Sequence, residues 1–272
     1  MRRALVAAVL VLVCGCSTDS KKPETGGGGG GDAKLAPDPD KRDFLQASLA
    51  SWPAGGAGLK VGFWVEETNT TAGKSAVRRL AVVAEAGDLL KIEKSATDDS
   101  YQGYIEGLTV QRADGKITDA VAAKKGEKPR GIKIGAVPPE TPAPPPGTDE
   151  AVSVPAGTFA TTKTVVSSMV SEETTWTGKD GDVQGLVVKW SDDNGLSREL
   201  KSIGTEYLTL GKNAVKALHA IYSDGSEEWW VRGLEVPFHG SSGMTRVKKM
   251  RGGTTTELVW GNDAKPEIDW SP

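Results

Sequence analysis

Thiols, imidazoles and long apolar runs are all scarce in this chain of 272 residues. It holds two cysteines, Cys14 and Cys16, and two histidines, His219 and His239. Everything beyond Cys16 therefore has no internal disulfide and no thiolate cluster for zinc or iron–sulfur, so no metal site is expected. The fold must rest on packing alone, which this length allows. Charge of one sign is missing too. The formal net charge is -3, with no concentrated basic patch of the kind that tracks phosphates, so nucleic acid is not an expected partner. The run Ala4 to Val13, ALVAAVLVLV, is well short of the roughly 20 residues that span a bilayer. Nowhere do strands alternate with long helices as a parallel α/β sheet requires.

What the amino terminus does have is a leader. Arg2 and Arg3 precede the apolar run, and Gly15-Cys16 follows it. Val13-Cys14-Gly15-Cys16 resembles the bacterial lipobox. The resemblance implies cleavage between Gly15 and Cys16, diacylglycerol on the Cys16 thiol and acylation of the new amino terminus. Acyl chains anchor because each buried methylene contributes roughly 0.8 kcal/mol. Ser17 after the cysteine is similar to the pattern that sorts to the outer membrane of a Gram-negative envelope. Residues 1–15 thus read as a signal peptide. Residues 16–40 read as a flexible lipid-anchored tether, because six consecutive glycines and scattered prolines cannot bury enough apolar surface to offset ordering entropy.

The remainder reads as all-β and mainly antiparallel, a curved sheet or half-barrel in two lobes. Residues 41–137 form the first lobe, residues 138–148 a proline-rich linker or loop, and residues 149–266 the second. In the first, Asp40 to Ala50 has the stripe of a short helix. The runs Leu59–Val65, Val77–Ala84, Asp88–Lys94, Gly103–Val110 and Ile117–Ala123 are rich in β-branched residues and separated by Gly and Asp turns. In the second lobe a pattern repeats. Glu172–Trp176 matches Glu227–Trp230, Val187–Lys189 matches Arg246–Lys248, and Arg198–Leu200 matches Thr256–Leu258.

Val154-Pro155-Ala156-Gly157-Thr158-Phe159, the segment Gly185 to Lys189, the strand Gly62-Phe63-Trp64-Val65 and the hairpin Ala113 to Thr118 together resemble uncharacterised bacterial envelope lipoproteins with a "PAGTF" β motif. Those are loosely similar to periplasmic carriers of lipoproteins and lipids, in which a half-open barrel wraps an apolar cavity. The resemblance implies a β fold; its motifs are structural and bring no activity.

Catalytic chemistry finds no support in the residues. His219 sits in the alternating strand Val215–Ile221, and His239 lies beside Gly240-Ser241-Ser242-Gly243 without the Gly-x-Ser-x-Gly turn of a hydrolase. Gly73-Lys74-Ser75 lacks the earlier glycine of a phosphate loop and reads as a hairpin turn. Asp180-Gly-Asp182 and Asp192-Asp-Asn-Gly195 are acidic turns without the length or terminal glutamate of a calcium loop. No cofactor is implied. Aromatics stand out instead, with eight tryptophans against four phenylalanines. Trp176, Trp190, Trp229 and Trp230 are the candidates for a ligand groove, since the consecutive pair must send one indole to each face of a strand. The expected function is a non-catalytic, membrane-anchored envelope lipoprotein that binds a lipid or apolar peptide. The alternative is a structural or envelope-protein-binding module with a filled core.

Overall fold

The computed structural model describes residues 60–97, 103–132, 134, 146–167, 171–234, 236, 240–241 and 243–270. The expected signal peptide and tether, Cys16, the helix expected over Asp40 to Ala50, and His239 lie outside these residues. What is described is all-β. In chain order the strands are β1 (Trp64–Thr71), β2 (Lys74–Ala86), β3 (Leu89–Ala96), β4 (Tyr104–Gln111), β5 (Ile117–Lys124), β6 (Arg130–Gly131), β7 (Thr148–Val154) and β8 (Gly157–Ser167). They continue with β9 (Glu172–Gly178), β10 (Val187–Asp192), β11 (Ser197–Leu210), β12 (Asn213–Tyr222), β13 (Glu227–Arg232), β14 (Gly240–Ser241), β15 (Met244–Arg251) and β16 (Thr254–Gly261). A single 3-10 turn, Gly181–Val183, interrupts them.

Fifteen of these strands lie side by side in the order β6-β5-β4-β3-β2-β1-β16-β15-β13-β12-β11-β10-β9-β8-β7, and β14 pairs with β15 off that path. Named neighbours are antiparallel throughout, as hairpins with short Gly and Asp turns demand. The expected strands of the first lobe appear within a few residues of their predicted bounds. The exception is β1, expected over Leu59–Val65 and found over Trp64–Thr71. Its threonine-rich end is held by hydroxyl contacts such as Thr71 to Thr254 at 2.8 Å. The proposed repeat falls on β9-β10-β11 and β13-β15-β16, each a run of three neighbouring strands.

The two sequence lobes share one sheet, because β1 pairs with β16 over eight residue pairs, from Trp64↔Gly261 to Thr71↔Thr254. The proline-rich region carries the chain from one sheet edge, β6, to the other, β7. Fully extended, the link from Gly131 to Thr148 spans about 60 Å. Fifteen strands laid flat span about 67 Å. Connectivity alone therefore requires the sheet to curl. Bulges in β2–β3, β4–β5, β9–β10, β11–β12 and β13–β15 supply local bends.

Apolar residues fill the sheet in linked clusters. The largest joins Val65, Leu80, Val82, Leu90, Ile92, Leu108, Val110 and Leu258 to Val236. Each such side chain contributes about 1.5–3 kcal/mol on burial. The segment bearing Leu234 and Val236 is pinned over this core by the buried Thr245 hydroxyl, which donates to the Leu234 carbonyl and accepts from the Val236 N–H. A second cluster (Leu210, Ala217, Trp229, Val247) adjoins it through Leu234 and Trp260. A third gathers Val183, Val188, Leu200, Ala220 and Tyr222. Ala217 and Ala220 are three residues apart in an unbroken stretch of β12, so these last two clusters lie on opposite faces of that strand. The final five strands in the order also curl back on themselves, for the Ala156 N–H at the β7–β8 turn donates to Leu200 O of β11 at 3.1 Å.

The carboxyl-terminal segment straps the first lobe. Ala264 N donates to Gly62 O, and Glu267 N, Ile268 N and the Trp270 indole all donate to the buried Glu93 carboxylate on β3 at 2.8–3.2 Å. Gly107 on β4, the cross-strand neighbour of Glu93, makes room beneath: a Cβ there would meet Ile268 Cδ1 and Trp270 Cη2 at 2.7 Å. Gly107→Leu is therefore expected to destabilise the protein by about 1–3 kcal/mol through overpacking. Gly204→Ala, whose Cβ meets nothing within 4 Å, shifts the urea midpoint little. Equal midpoints for the two variants contradict the strap packing. Glu93→Gln keeps the shape but removes the charged acceptor, and is expected to cost about 1–3 kcal/mol and to expose the segment to carboxypeptidase.

Candidate binding surface

Alternation along β9 decides where the tryptophans go. Trp176 pairs across to Lys163 and Lys189, whereas Trp190 pairs across to Thr175 and Arg198. Thr175 and Trp176 are neighbours in one strand, so Trp176 and Trp190 occupy opposite faces. Trp229 and Trp230 likewise separate, facing His219 and Leu218 of β12 respectively. The four candidates do not converge on one groove.

Each instead makes the same kind of local contact. The indole N–H donates to a carboxylate in every case: Trp190 to Glu173 at 3.1 Å, Trp229 to Glu206 at 2.7 Å, Trp230 to Glu228 at 3.2 Å, and Trp176 to Glu150. Trp64 and Trp270 follow suit with Asp263 at 2.6 Å and Glu93 at 2.9 Å. Cations sit over most of these rings, with Lys163 and Lys189 at 5.4 and 5.5 Å from the Trp176 centroid, Lys248 at 5.2 Å from Trp229 and Lys91 at 4.8 Å from Trp270. The indole is well suited to this role, since its N–H must be satisfied and its face carries negative quadrupole density. Adjacent strands supply acid and base in register, an arrangement that composition alone does not reveal.

His219 belongs to one of these units. Its ring stacks on Trp229 at 4.3 Å and 11°, with Nε2 2.7 Å from Glu227 and Nδ1 3.2 Å from Glu206. Both ring nitrogens are thus occupied by carboxylates, and neither faces a hydroxyl nucleophile. In the Asp192 turn the carboxylate serves the backbone: Asp192 Oδ1 accepts the N–H groups of Asn194 and Leu196 at 3.1 and 2.8 Å. Asp182 and Gly181 give their carbonyls to Arg232. Gly73 forms the β1–β2 turn with a positive φ of 76°. Among the described residues no group of three or more His, Cys, Asp or Glu side chains is arranged to hold a metal ion.

A buried ionic centre lies between β11, β12, β13 and β15. Glu228, only 3% exposed, meets Arg198 at 3.1 Å, the Tyr222 hydroxyl at 3.4 Å, Arg246 at 3.7 Å and Lys249 at 3.9 Å. Burial, reinforced by the Glu228 charge, pushes the Tyr222 hydroxyl well above its ordinary value. Burial and the neighbouring Arg246 pull the Lys249 amine down. Nearby, desolvation pushes the Asp224 carboxyl up, but the hydroxyl and N–H of Ser226, with Arg198 and Arg251, outweigh it and hold the group below its usual range.

Two surface regions stand out among the described residues. An open groove of about 270 Å³ is lined by Val77, Ala96, Tyr104 and Ile105 together with Arg79, Lys125, Glu66 and Glu267. These charges pair with one another, Arg79 to Glu267 at 2.6 Å and to Glu66 at 3.4 Å, and Lys125 to Glu267 at 3.2 Å. The other region is the β7 edge and the Trp176 patch beside it, with Glu150, Lys163, Lys189 and the Lys189–Glu199 ion pair at 2.8 Å. No protein-family model matches the chain, and comparison with curated proteins finds no significant relative.

Removing one member of the buried ionic centre leaves charge without a partner. Glu228→Ala is expected to cost about 3–5 kcal/mol, read as a drop in urea midpoint. A loss within the range of a surface substitution refutes the assignment. Because the folded Asp224 pKa is depressed, its contribution is complete above the unfolded value of about 3.9 and is lost as pH falls through the folded value. Asp224→Asn should therefore lower stability at neutral pH, and the gap from the parent should close on acidification.

Proposed function

We propose that this chain is a membrane-anchored lipoprotein of the bacterial cell envelope, non-catalytic, acting as a protein-binding module and not as a carrier with an internal ligand cavity. The observation that supports this reading is the filling of its cores. Leu90, Ile92, Leu108, Val110, Leu186, Val188 and Leu200 are each fully buried against other protein atoms, and Leu234 and Val236 close over the main cluster. Pockets that bury small ligands usually enclose about 300–1,000 Å³ with apolar walls. The groove beside Tyr104 is open and smaller, and paired charges share its lining with Val77, Ala96, Tyr104 and Ile105.

The anchor reading rests on Gly15 and Cys16 after a short apolar run, with the glycine-rich tether giving the folded part reach from the bilayer. No helix among the described residues is long and apolar enough to cross a membrane.

Native mass spectrometry of the full chain, extracted in mild detergent from bacterial membranes, tests both parts. The expected species begins at Cys16 with covalent acyl groups and carries no further apolar molecule. A second, lipid-sized mass removed by organic extraction would return the weight to a carrier. Cys16→Ala is expected to move the protein from the membrane to the soluble fraction; unchanged membrane association rules out the lipid anchor.

A further inference from the structure

We propose that Lys249 is a carbon dioxide site, where CO2 adds reversibly to Nζ and the resulting carbamate is held by Arg198, Arg246 and Arg251. This goes beyond the protein-binding reading and does not depend on it.

The geometry that points there is an excess of cations around a buried carboxylate. Arg198, Arg246 and Lys249 all approach the same oxygen of Glu228, Oε1, at 3.1, 3.7 and 3.9 Å. Its other oxygen, Oε2, accepts from the Trp230 indole at 3.2 Å and the Tyr222 hydroxyl at 3.4 Å. Lys249 is the cross-strand partner of Glu228. Arg251, two residues further along β15, falls on the same face and meets Asp224 at 3.5 Å. Those four cations share two carboxylates, Glu228 and Asp224. Glu67 also borders the region, but its cross-strand partner is Arg78, which matches its charge.

Lysine is the member that can shed the surplus. Arginine stays protonated in proteins, whereas a desolvated lysine amine gives up its proton. At Lys249 burial and then Arg246 favour the neutral amine, against the pull of Glu228. The side chain keeps 26% exposure, so its lone pair is reachable from solvent. Lys94 is also pulled down by burial, but it is only 15% exposed, and Arg78 is the one cation acting on it.

The charge of the product selects the electrophile. The amine lone pair attacks the carbon of CO2, an N–C bond forms, one C=O π pair moves to oxygen, and the nitrogen proton leaves to water. A cation is thereby replaced by an anion. Three guanidiniums then face three anions: Glu228, Asp224 and the carbamate. An aldehyde leaves a neutral or cationic imine, and a simple acyl donor leaves a neutral amide, so neither supplies the missing anion. Space selects the size. The gap bounded by Arg246, Lys249, Thr256 and Glu67 is about 10 Å³, at the lower limit for a single water. A hydrated phosphate or a long acidic acyl chain is too large for it. A carboxylate grown on Nζ itself, at the open rim, adds the least volume.

The test exposes the full chain, in mild detergent, to isotopically labelled CO2 and bicarbonate at fixed pH and ionic strength. Carbamates are trapped by O-ethylation with a trialkyloxonium salt and located by peptide mass spectrometry. Label is expected on Lys249 at a level well above that on Lys125, which is 76% exposed. Arg246→Gln is expected to lower the Lys249 label about tenfold, the scale of one charge-assisted hydrogen bond. A thermal melt checks that this variant is folded; if it is not, Arg251→Gln, at a 59% exposed position, takes its place with the same expectation. CO2 should also raise the melting midpoint of the parent and not that of Lys249→Arg. An unlabelled Lys249 at saturating CO2 overturns the proposal, as does label no greater than at Lys125. Undiminished label in the folded arginine variant overturns it too. So does a longer acidic acyl group found on Lys249 in the protein as isolated.

Discussion

A sheet fifteen strands wide has two faces to cover, and with no α-helix among the described residues it must cover them with its own hairpins, turns and terminus. That constraint organises the molecule. The first lobe buries one set of alternating residues, Leu90, Ile92, Leu108 and Val110, beneath the segment bearing Leu234 and Val236. The alternate set, Ile105 and Ala123, lies beneath Ile268 and Trp270. Strand β12 contributes Ala217 to one cluster and Ala220 and Tyr222 to another on its opposite face. Strands that serve two cores lose the clean apolar–polar alternation of a one-sided sheet.

The tryptophans answer the same constraint through local polar contacts. An indole on a sheet face is too large to leave bare and too polar at its N–H to bury unsatisfied. Here a carboxylate from the same or a neighbouring segment takes the N–H, and lysine or arginine covers the ring. The His219–Trp229 stack, braced by Glu206 and Glu227, is the fullest instance.

The strap fixes the terminal segment to the first lobe. Glu93 gathers two backbone N–H groups and an indole at one buried carboxylate. The terminal segment is thereby fixed across β3 and β4, and the Arg79–Glu267 pair continues that fixation toward β2. At the opposite end the Ala156–Leu200 hydrogen bond closes the final strands around Phe159 and Tyr222.

The amino-acid sequence by itself determined the strand content and most turn positions, because side-chain alternation and Gly or Asp turn chemistry act over a few residues. Val77–Ala84 and Ile117–Ala123 were legible for that reason, as were the turns at Gly73 and Asp192. Strand β7 was not, since TDEAVSV carries little apolar weight and directly follows the proline-rich stretch. The tryptophans were legible as unusual, but not as separate units: Trp176 and Trp190 part company through the parity of their cross-strand partners. Only tertiary structure decided that β1 pairs with β16, that Glu93 receives residues 267–270, and that the two sequence lobes form one sheet. Those contacts join residues more than a hundred positions apart, where no local pattern records which carboxylate will meet which N–H.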